Sequence, residues 1–226
     1  MRIKKVKLYT NRLEAELSFY TEGLGFELIR QEDNNFSIRI GWTEITFIHS
    51  ERRHIYHYCF LLASNHLDSA LAWFKERTAI SPIADGQETV HFDHWNADSF
   101  YFYDASGNVA ECIVRHDLNN PSDEDFTAGS ILGLNEIGIP TKQISNTQSY
   151  LSEAMGSQAW RGDEVRFGTH GDQEGLLLLP NYLEKRTWFP TTLALRPEPI
   201  EATLLHAGTE YLLACRGGRM EVQKVG

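Results

Sequence analysis

Apolar and polar positions alternate at the start of the chain and then change to helical spacing. Residues 3–9 alternate, which predicts a β-strand. Asn11 can cap the helix that follows, and Gly23 and Gly25 bracket its end. Its buried face has helical spacing and is formed by Leu13, Leu17, Tyr20 and Leu24. Three further strands are predicted at residues 26–29, 36–40 and 43–49, so the first unit is βαβββ.

The same pattern begins again twice along the chain. A strand from His57 opens a second unit, which continues through a helix and ends in a hairpin across Gly107. An offset of 131 positions (136 minus 5) aligns the first unit with a third one that begins near Leu134. This offset pairs Val6 with Ile137 without any gap. Repetition of this kind predicts units that pack against one another.

The repeat predicts an α+β fold of repeated βαβββ units that form a curved mixed sheet with a concave cleft, plus a third partial unit. Units one and two are expected to pair as one domain over residues 1–117, and a polar, turn-rich linker follows at 118–129. Residues 130–226 are expected to hold the third unit and a C-terminal extension. An odd unit has no partner in its own chain, so we predict a homodimer.

Charge and cysteine content exclude several classes of protein. The formal net charge of −10 argues against nucleic-acid binding, which needs a basic face. Three cysteines (Cys59, Cys112 and Cys215) with no repeated spacing favour neither disulfides nor a zinc motif. The start of the chain lacks the apolar core of a signal peptide, and no apolar run reaches the roughly 18 residues of a membrane span. We therefore expect a cytoplasmic protein that does not enter a membrane.

Aromatic residues make up 12% of the chain, which suggests that they line a cavity for a small molecule as well as fill a core. In the segment 90–96, Phe92, His94 and Trp95 are expected to form one wall of that cavity, with His94 as a proton donor or acceptor. Trp188-Phe189-Pro190 is interpreted as an aromatic anchor. Alternation adds further candidate ligand contacts on the strands, namely Lys5, Tyr9, Cys59 and Arg115. For Cys59 we favour a small buried apolar role over a nucleophile.

Several motifs resemble the glyoxalase/bleomycin-resistance/extradiol-dioxygenase superfamily, whose members are also called vicinal oxygen chelate proteins. The resemblance covers residues 1 to about 117 and is carried by Phe19-Tyr20, by Leu24-Gly25-Phe26, by His57 and by the ending Tyr101 to Glu111. Ala105 stands where the family usually has Pro. The resemblance implies a metal site on the concave face, with ligand positions that correspond to Lys5, His57, Glu111 and Glu44.

His57 and Glu111 are the predicted ligands of a divalent cation, which the resemblance leaves open as Fe, Mn, Zn or Ni. Lys5 departs from the pattern, because a protonated lysine cannot coordinate a metal. Either Glu44 completes a three-ligand site, or the Lys5 ammonium takes the place of the metal, in which case no metal is bound; we favour the second reading. Glu136 has the position of Lys5 in the third unit and is interpreted as an ordinary exposed carboxylate.

Two classes of function follow. One is a protein that binds a small molecule in a concave pocket with a degraded metal site. The alternative is a metal-dependent lyase or ring-cleaving dioxygenase that uses His57, Glu111 and Glu44, with Glu111 and His94 as catalytic groups. A third possibility is a metal-free enzyme in which Lys5 or Glu111 moves a proton.

Overall fold

Strands dominate the computed structural model, which describes residues 1–84 and 86–225. Gly226, the last residue of the predicted third unit, lies outside the described residues. The helices are α1 (Leu13–Ser18), continued by a π-helical turn (Phe19–Gly23), α2 (Leu67–Lys75) and α3 (Ile144–Met155). The strands are β1 (Arg2–Thr10), β2 (Glu27–Glu32), β3 (Asn35–Ile40), β4 (Thr43–His49), β5 (His57–Leu61), β6 (Ile80–Ser81), β7 (Thr89–Phe92), β8 (Ala97–Tyr103), β9 (Val109–Arg115), β10 (Gly133–Gly138), β11 (Ala159–Gly162), β12 (Phe167–Asp172), β13 (Gly175–Pro180), β14 (Ile200–His206), β15 (Thr209–Arg216) and β16 (Arg219–Lys224).

These strands form two sheets. The first sheet has seven strands in the order β16-β15-β14-β1-β4-β3-β2. The second sheet has nine, in the order β11-β12-β13-β10-β5-β9-β8-β6, with β7 paired to β8. Both sheets are mixed, because β1/β4, β5/β9 and β10/β13 are parallel pairs. The predicted α+β class and curved mixed sheets are confirmed. Among the described residues, no helix is long and apolar enough to cross a membrane.

The units pair differently from the expectation. We expected units one and two to share a sheet, whereas β5 and β10, the first strands of units two and three, pair antiparallel at the centre of the second sheet. Unit one instead pairs through β1 with β14, so the C-terminal strands complete its sheet. The expectation of a third unit without a partner in its own chain was therefore wrong. Alternation specifies which face of a strand is buried, but it does not specify which strand edges meet.

One buried apolar cluster joins the inner faces of both sheets. Val6, Leu8 and Phe47 contribute from the first sheet, and Phe60 and Leu177 from the second. The side chains that alternate with them point away from this core, as the period of a strand requires. Each sheet therefore keeps a second face that is free to carry polar groups.

A buried polar network connects unit one to the hairpin of unit two. Asp104 accepts hydrogen bonds from the Tyr58 hydroxyl and from the Asn108 backbone N–H, the latter at 2.8 Å. Glu16 of α1 accepts one from the Ser106 N–H at 3.1 Å. Burial, and then the nearby Asp104, raise the pKa of Glu16 to about 9. The Asp104–Asn108 part of the family-like motif therefore has a structural role at this joint.

Candidate functional site

The outer face of the second sheet forms the floor of a cavity of about 480 Å³. Its walls come from the β7 segment, the start of β12 and the segment after β13, and they are mostly aromatic. The lining residues are His57, His91, Phe92, Asp93, His94, Trp95, Tyr101, Glu111, Glu136, Arg166, Phe167, Leu178, Lys185, Trp188 and Phe189. A larger groove of about 600 Å³ lies by the start of α3, but its lining holds no His, Cys, Asp or Glu.

Three buried polar side chains meet on the cavity floor. His57, Glu111 and Glu136 are 6%, 3% and 1% exposed. Each offers one ligand atom, and these atoms lie within 4.8 Å of one another. The strand ladder places them together, because Cys59 of β5 pairs with Glu111 on one side and with Glu136 on the other. We call these three residues the floor triad.

The hydrogen bonds of His57 leave one ring nitrogen free for the cavity. Its Nδ1 lies 2.9 Å from the Val109 carbonyl oxygen, which can only accept, so Nδ1 carries the proton and donates. The other ring nitrogen, Nε2, lies 3.4 Å from Glu111 Oε2. Ring orientation by a backbone carbonyl is the usual arrangement of a metal-binding histidine.

Arg115 supports Glu136 from within the protein. It is fully buried and forms an ion pair with Glu136, and its Nε donates to Asn135 Oδ1 at 2.8 Å. Burial raises the pKa of Glu136, and the Arg115 charge opposes that rise. The Arg115 guanidinium also lies 5.4 Å from the ring centroid of Trp95. Arg115, a predicted ligand contact, is thus placed next to the triad and is not among the residues that line the cavity.

The internal repeat explains the number of groups in the triad. Glu111 pairs with the residue two after His57 on β5, and Leu178 pairs with Gly138, two after Glu136 on β10. Leu178 therefore has the position in unit three that Glu111 has in unit two. Because Leu178 is apolar, the two units contribute three polar groups and not four. One imidazole and two carboxylates suit a divalent cation such as Fe, Mn, Zn or Ni. Three protein ligands with a further position open are typical of catalytic metal centres.

Gly138 makes room for the aromatic cover of the triad. A Cβ at this position would lie 2.3 Å from Cη2 of Trp188, so only glycine allows the indole to lie against β10. The Trp188 ring centroid is 5.1 Å from that of His57. The anchor predicted at Trp188-Phe189-Pro190 thus lies over the triad, a position that the sequence did not indicate.

The predicted site residues of unit one lie elsewhere. Lys5 and Glu44 are neighbours on β1 and β4 of the first sheet, and Lys5 is exposed. Tyr9 is on the same strand, and its N–H donates to the Tyr56 hydroxyl at 3.2 Å. The expectations that Lys5 replaces the metal beside His57, or that Glu44 joins it, were wrong for one reason: unit one is not the partner of unit two.

Glu136 corrects a second expectation, since it is buried in the triad and is not an exposed carboxylate. The offset of 131 positions already aligned it with the ligand position of a first strand. That alignment would have identified Glu136 as a candidate ligand if we had expected unit three, rather than unit one, to pair with unit two.

Other predicted residues lie at or beneath the cavity. Phe92, His94 and Trp95 line its wall, and their roles stay predictions. Cys59 is fully buried between the two carboxylates of the triad. Burial raises the pKa of its thiol well above the ordinary value, which leaves it protonated and favours the apolar role.

A second group of possible ligands lies on the surface. Asp98 accepts from His91 Nδ1 at 2.9 Å and from His116 Nε2 at 2.6 Å. These three residues also bring one ligand atom each within 4.8 Å of the others. Any measurement of bound metal therefore needs a variant that removes this surface group.

Residues 2–112 match the family model of the Glyoxalase/Bleomycin resistance protein/Dioxygenase superfamily. By sequence, these residues are therefore similar to this superfamily. The resemblance predicted from the motifs is confirmed. No curated protein matches the chain by sequence.

Solved structures resemble the fold of nearly the whole chain. A protein from Bacillus subtilis proposed to be a dioxygenase has 13% identity and a TM-score of 0.64, covering 99% of this chain and 84% of its own. Glyoxalase I from Zea mays has 12% identity and a TM-score of 0.56, covering 99% of this chain and 92% of its own. At these identities the likeness concerns the fold alone. Superfamily members typically use a divalent metal, and the donor set of the triad fits one.

Proposed function

We propose that the floor triad holds a divalent cation and that the protein is a metal-dependent lyase or ring-cleaving dioxygenase acting on a small molecule. The observation that carries this is the convergence of one ring nitrogen of His57 with two buried carboxylates at the floor of the cavity. Glu136 takes the place in the ligand set that we first gave to Glu44. Such a cation would act as a Lewis acid toward adjacent oxygen atoms of a substrate.

The other residues of the cavity bind and orient that substrate. Trp188 and Phe92 offer apolar surface to an aromatic or similarly flat molecule and exclude water from the floor. Tyr101 stands opposite Glu111 on the neighbouring strand and bounds one side of the site. His94 lines the wall and is our candidate for moving a proton to or from the bound molecule.

Metal binding by stripped protein tests the proposal. The chain is treated with a chelator, and Mn(II), Fe(II), Zn(II) and Ni(II) are titrated calorimetrically into the native protein and single variants. We expect one cavity site that is lost in His57→Ala and weakened at least about 100-fold in Glu136→Gln, because two ligands rarely hold a metal firmly.

Two controls complete this experiment. His116→Ala removes the surface group and should leave the cavity site intact. Lys5→Met should also leave it intact, because Lys5 lies in the other sheet. Metal binding that survives in His57→Ala but disappears in His116→Ala would overturn the proposal.

A metal-free binding protein is the second candidate. Arg115 already neutralises one triad carboxylate through a fully buried ion pair, which allows a stable cavity without a cation. This candidate predicts no metal binding in the native protein and a retained fold and affinity for small apolar molecules after chelation.

We also propose a cytoplasmic location, supported by three free, buried cysteines among the described residues. The homodimer stays a prediction. The reason first given for it, a third unit without a partner in its own chain, no longer applies. Sedimentation over a wide range of protein concentrations tests it.

A further inference from the structure

The cavity holds two cations in addition to its floor triad. Lys185 and Arg166 both line it, Lys185 half-buried and Arg166 exposed. In the described part of the chain, no carboxylate oxygen lies within 4 Å of either charge; all described ion pairs involve other residues. The Lys185 ammonium donates one hydrogen bond to the Thr187 carbonyl oxygen.

Lys185 differs in this respect from lysines on the open surface. Lys7 pairs with Glu201 and Lys75 pairs with Glu88, at 2.9 and 2.8 Å. Lys185 is more buried than either, and none of the described carboxylates pairs with it. Burial, and then the charge of Arg166, lower its pKa to about 8. Removing a cation from water without a counter-ion is unfavourable, so an anion supplied by a ligand would stabilise this arrangement.

No carboxylate of the floor triad lies within 4 Å of these cations, and aromatic rings line the same cavity. Phe167 follows Arg166 in the chain, and Trp188 and Phe189 follow Lys185. A ligand that fills this space would meet carboxylates, aromatic rings and two cations. The volume of about 480 Å³ lies within the usual range for a small-molecule site.

We propose that the ligand of this cavity is an apolar, ring-sized acid whose carboxylate binds Lys185 and Arg166 while its other end lies toward the floor triad. The orientation toward the triad rests on the proposed function; the carboxylate site does not. A carboxylate facing the floor without a metal would be repelled by Glu111 and Glu136, so charge alone favours this direction of binding.

A matched pair of probes tests the carboxylate site without any metal. 2-Naphthoate and 2-naphthamide have nearly the same shape and differ in charge. Each is titrated into chelator-treated protein, and binding is followed by the fluorescence of the tryptophans, of which Trp95 and Trp188 line the cavity. We expect the acid to bind about 10-fold more tightly than the amide, the size of one charge-assisted hydrogen bond.

Variants assign that preference to the two cations. Lys185→Met and Arg166→Met should each remove most of it, while Lys142→Met, at an exposed lysine outside this cavity, should not. Raising the pH from 7 to 9 deprotonates Lys185 and should weaken binding of the acid in the native protein. Lys185→Arg should restore the preference and reduce that dependence on pH, because arginine stays charged while Glu136, with a pKa of about 7, still ionises over this range.

Equal affinities for acid and amide would overturn the inference, as would a preference unchanged in both methionine variants that retain the native circular dichroism. Since no metal is present, the result is independent of the floor triad. If the triad binds no metal and the preference for the acid is retained, the proposed function alone would be overturned.

Discussion

The two sheets are built on the same βαβββ unit, but the cavity with the floor triad lies on the outer face of the second. In the second sheet, two complete units meet at β5 and β10, and the segments after β6 and β13 fold over the junction. In the first sheet, unit one meets a three-stranded antiparallel extension. Its outer face carries ordinary surface ion pairs, such as Lys7 with Glu201. A site of this kind therefore depends on what the unit is paired with.

Individual positions show the same contrast. Glu136 corresponds to Lys5 under the 131-residue offset, and Gly138 corresponds to Lys7. In the second sheet, the first position supplies a buried carboxylate and the second makes room for Trp188. In the first sheet, both positions hold exposed lysines. The charge of Lys7 is solvated on the open face of the first sheet. A lysine at position 138 would instead place an unpaired charge beneath Trp188, which would be very unfavourable.

The largest effect is expected from breaking the buried ion pair of the second sheet. Arg115→Met leaves Glu136 without its cation and should lower the free energy of unfolding by about 3–5 kcal/mol. Arg216→Met breaks an exposed ion pair with Glu201 in the first sheet and should leave the melting temperature unchanged. Urea unfolding of both variants measures the two changes in the free energy of unfolding. Similar losses in the two variants would contradict this prediction.

A smaller effect is expected from filling the space at Gly138. Gly138→Ala places a methyl group against the Trp188 ring and should cost about 1–3 kcal/mol of stability. It should also change the tryptophan emission, because the indole must move away from His57. Lys7→Ala at the corresponding position of the first sheet should do neither. An unchanged spectrum and stability in Gly138→Ala would show that the indole does not lie against β10.

The joint between units one and two should make stability depend on pH. The folded-state pKa of Glu16, about 9, lies above the ordinary value of 4.5. Its stabilising contribution is therefore complete below about pH 4.5 and is lost as the pH rises toward 9. Glu16→Gln cannot ionise, so its stability relative to the native protein should increase by roughly 1 kcal/mol per pH unit between pH 6 and 8.5. Chemical unfolding across that range measures the difference, and a constant difference would contradict this account.

Much of the fold could be predicted from the sequence. Alternation identified β1 and the β3/β4 hairpin within a residue or two, and the ungapped offset revealed the third unit. The pairing of units could not be predicted, because β1, β5 and β10 all have one apolar face and two edges able to accept a neighbour. The C-terminal strands, whose only clear signal was the apolar run at residues 211–214, decided the pairing by covering the edge of β1.

The same distinction applies to the candidate site: positions within one unit could be predicted, whereas contacts between units could not. His57 and Glu111 were predicted from the family resemblance, and they lie close together because both belong to one unit and one strand ladder. Glu136 was misread because its burial depends on pairing with β5, which lies 75 or more residues earlier in the chain. Lys185 gave no sequence signal, since its surroundings depend on a segment without regular secondary structure.

The pairing of β1 with β14 also limits the order in which the two sheets can form during synthesis. Lys7 and Glu201 are ladder partners separated by 194 residues. While the chain is being made, β1 has an open edge until the last strands leave the ribosome, whereas units two and three can already join. Open strand edges are sites of wrong association. A truncated chain that ends before β14 would keep the residues of the cavity and still expose that edge, so we expect its solubility to fail before its cavity does.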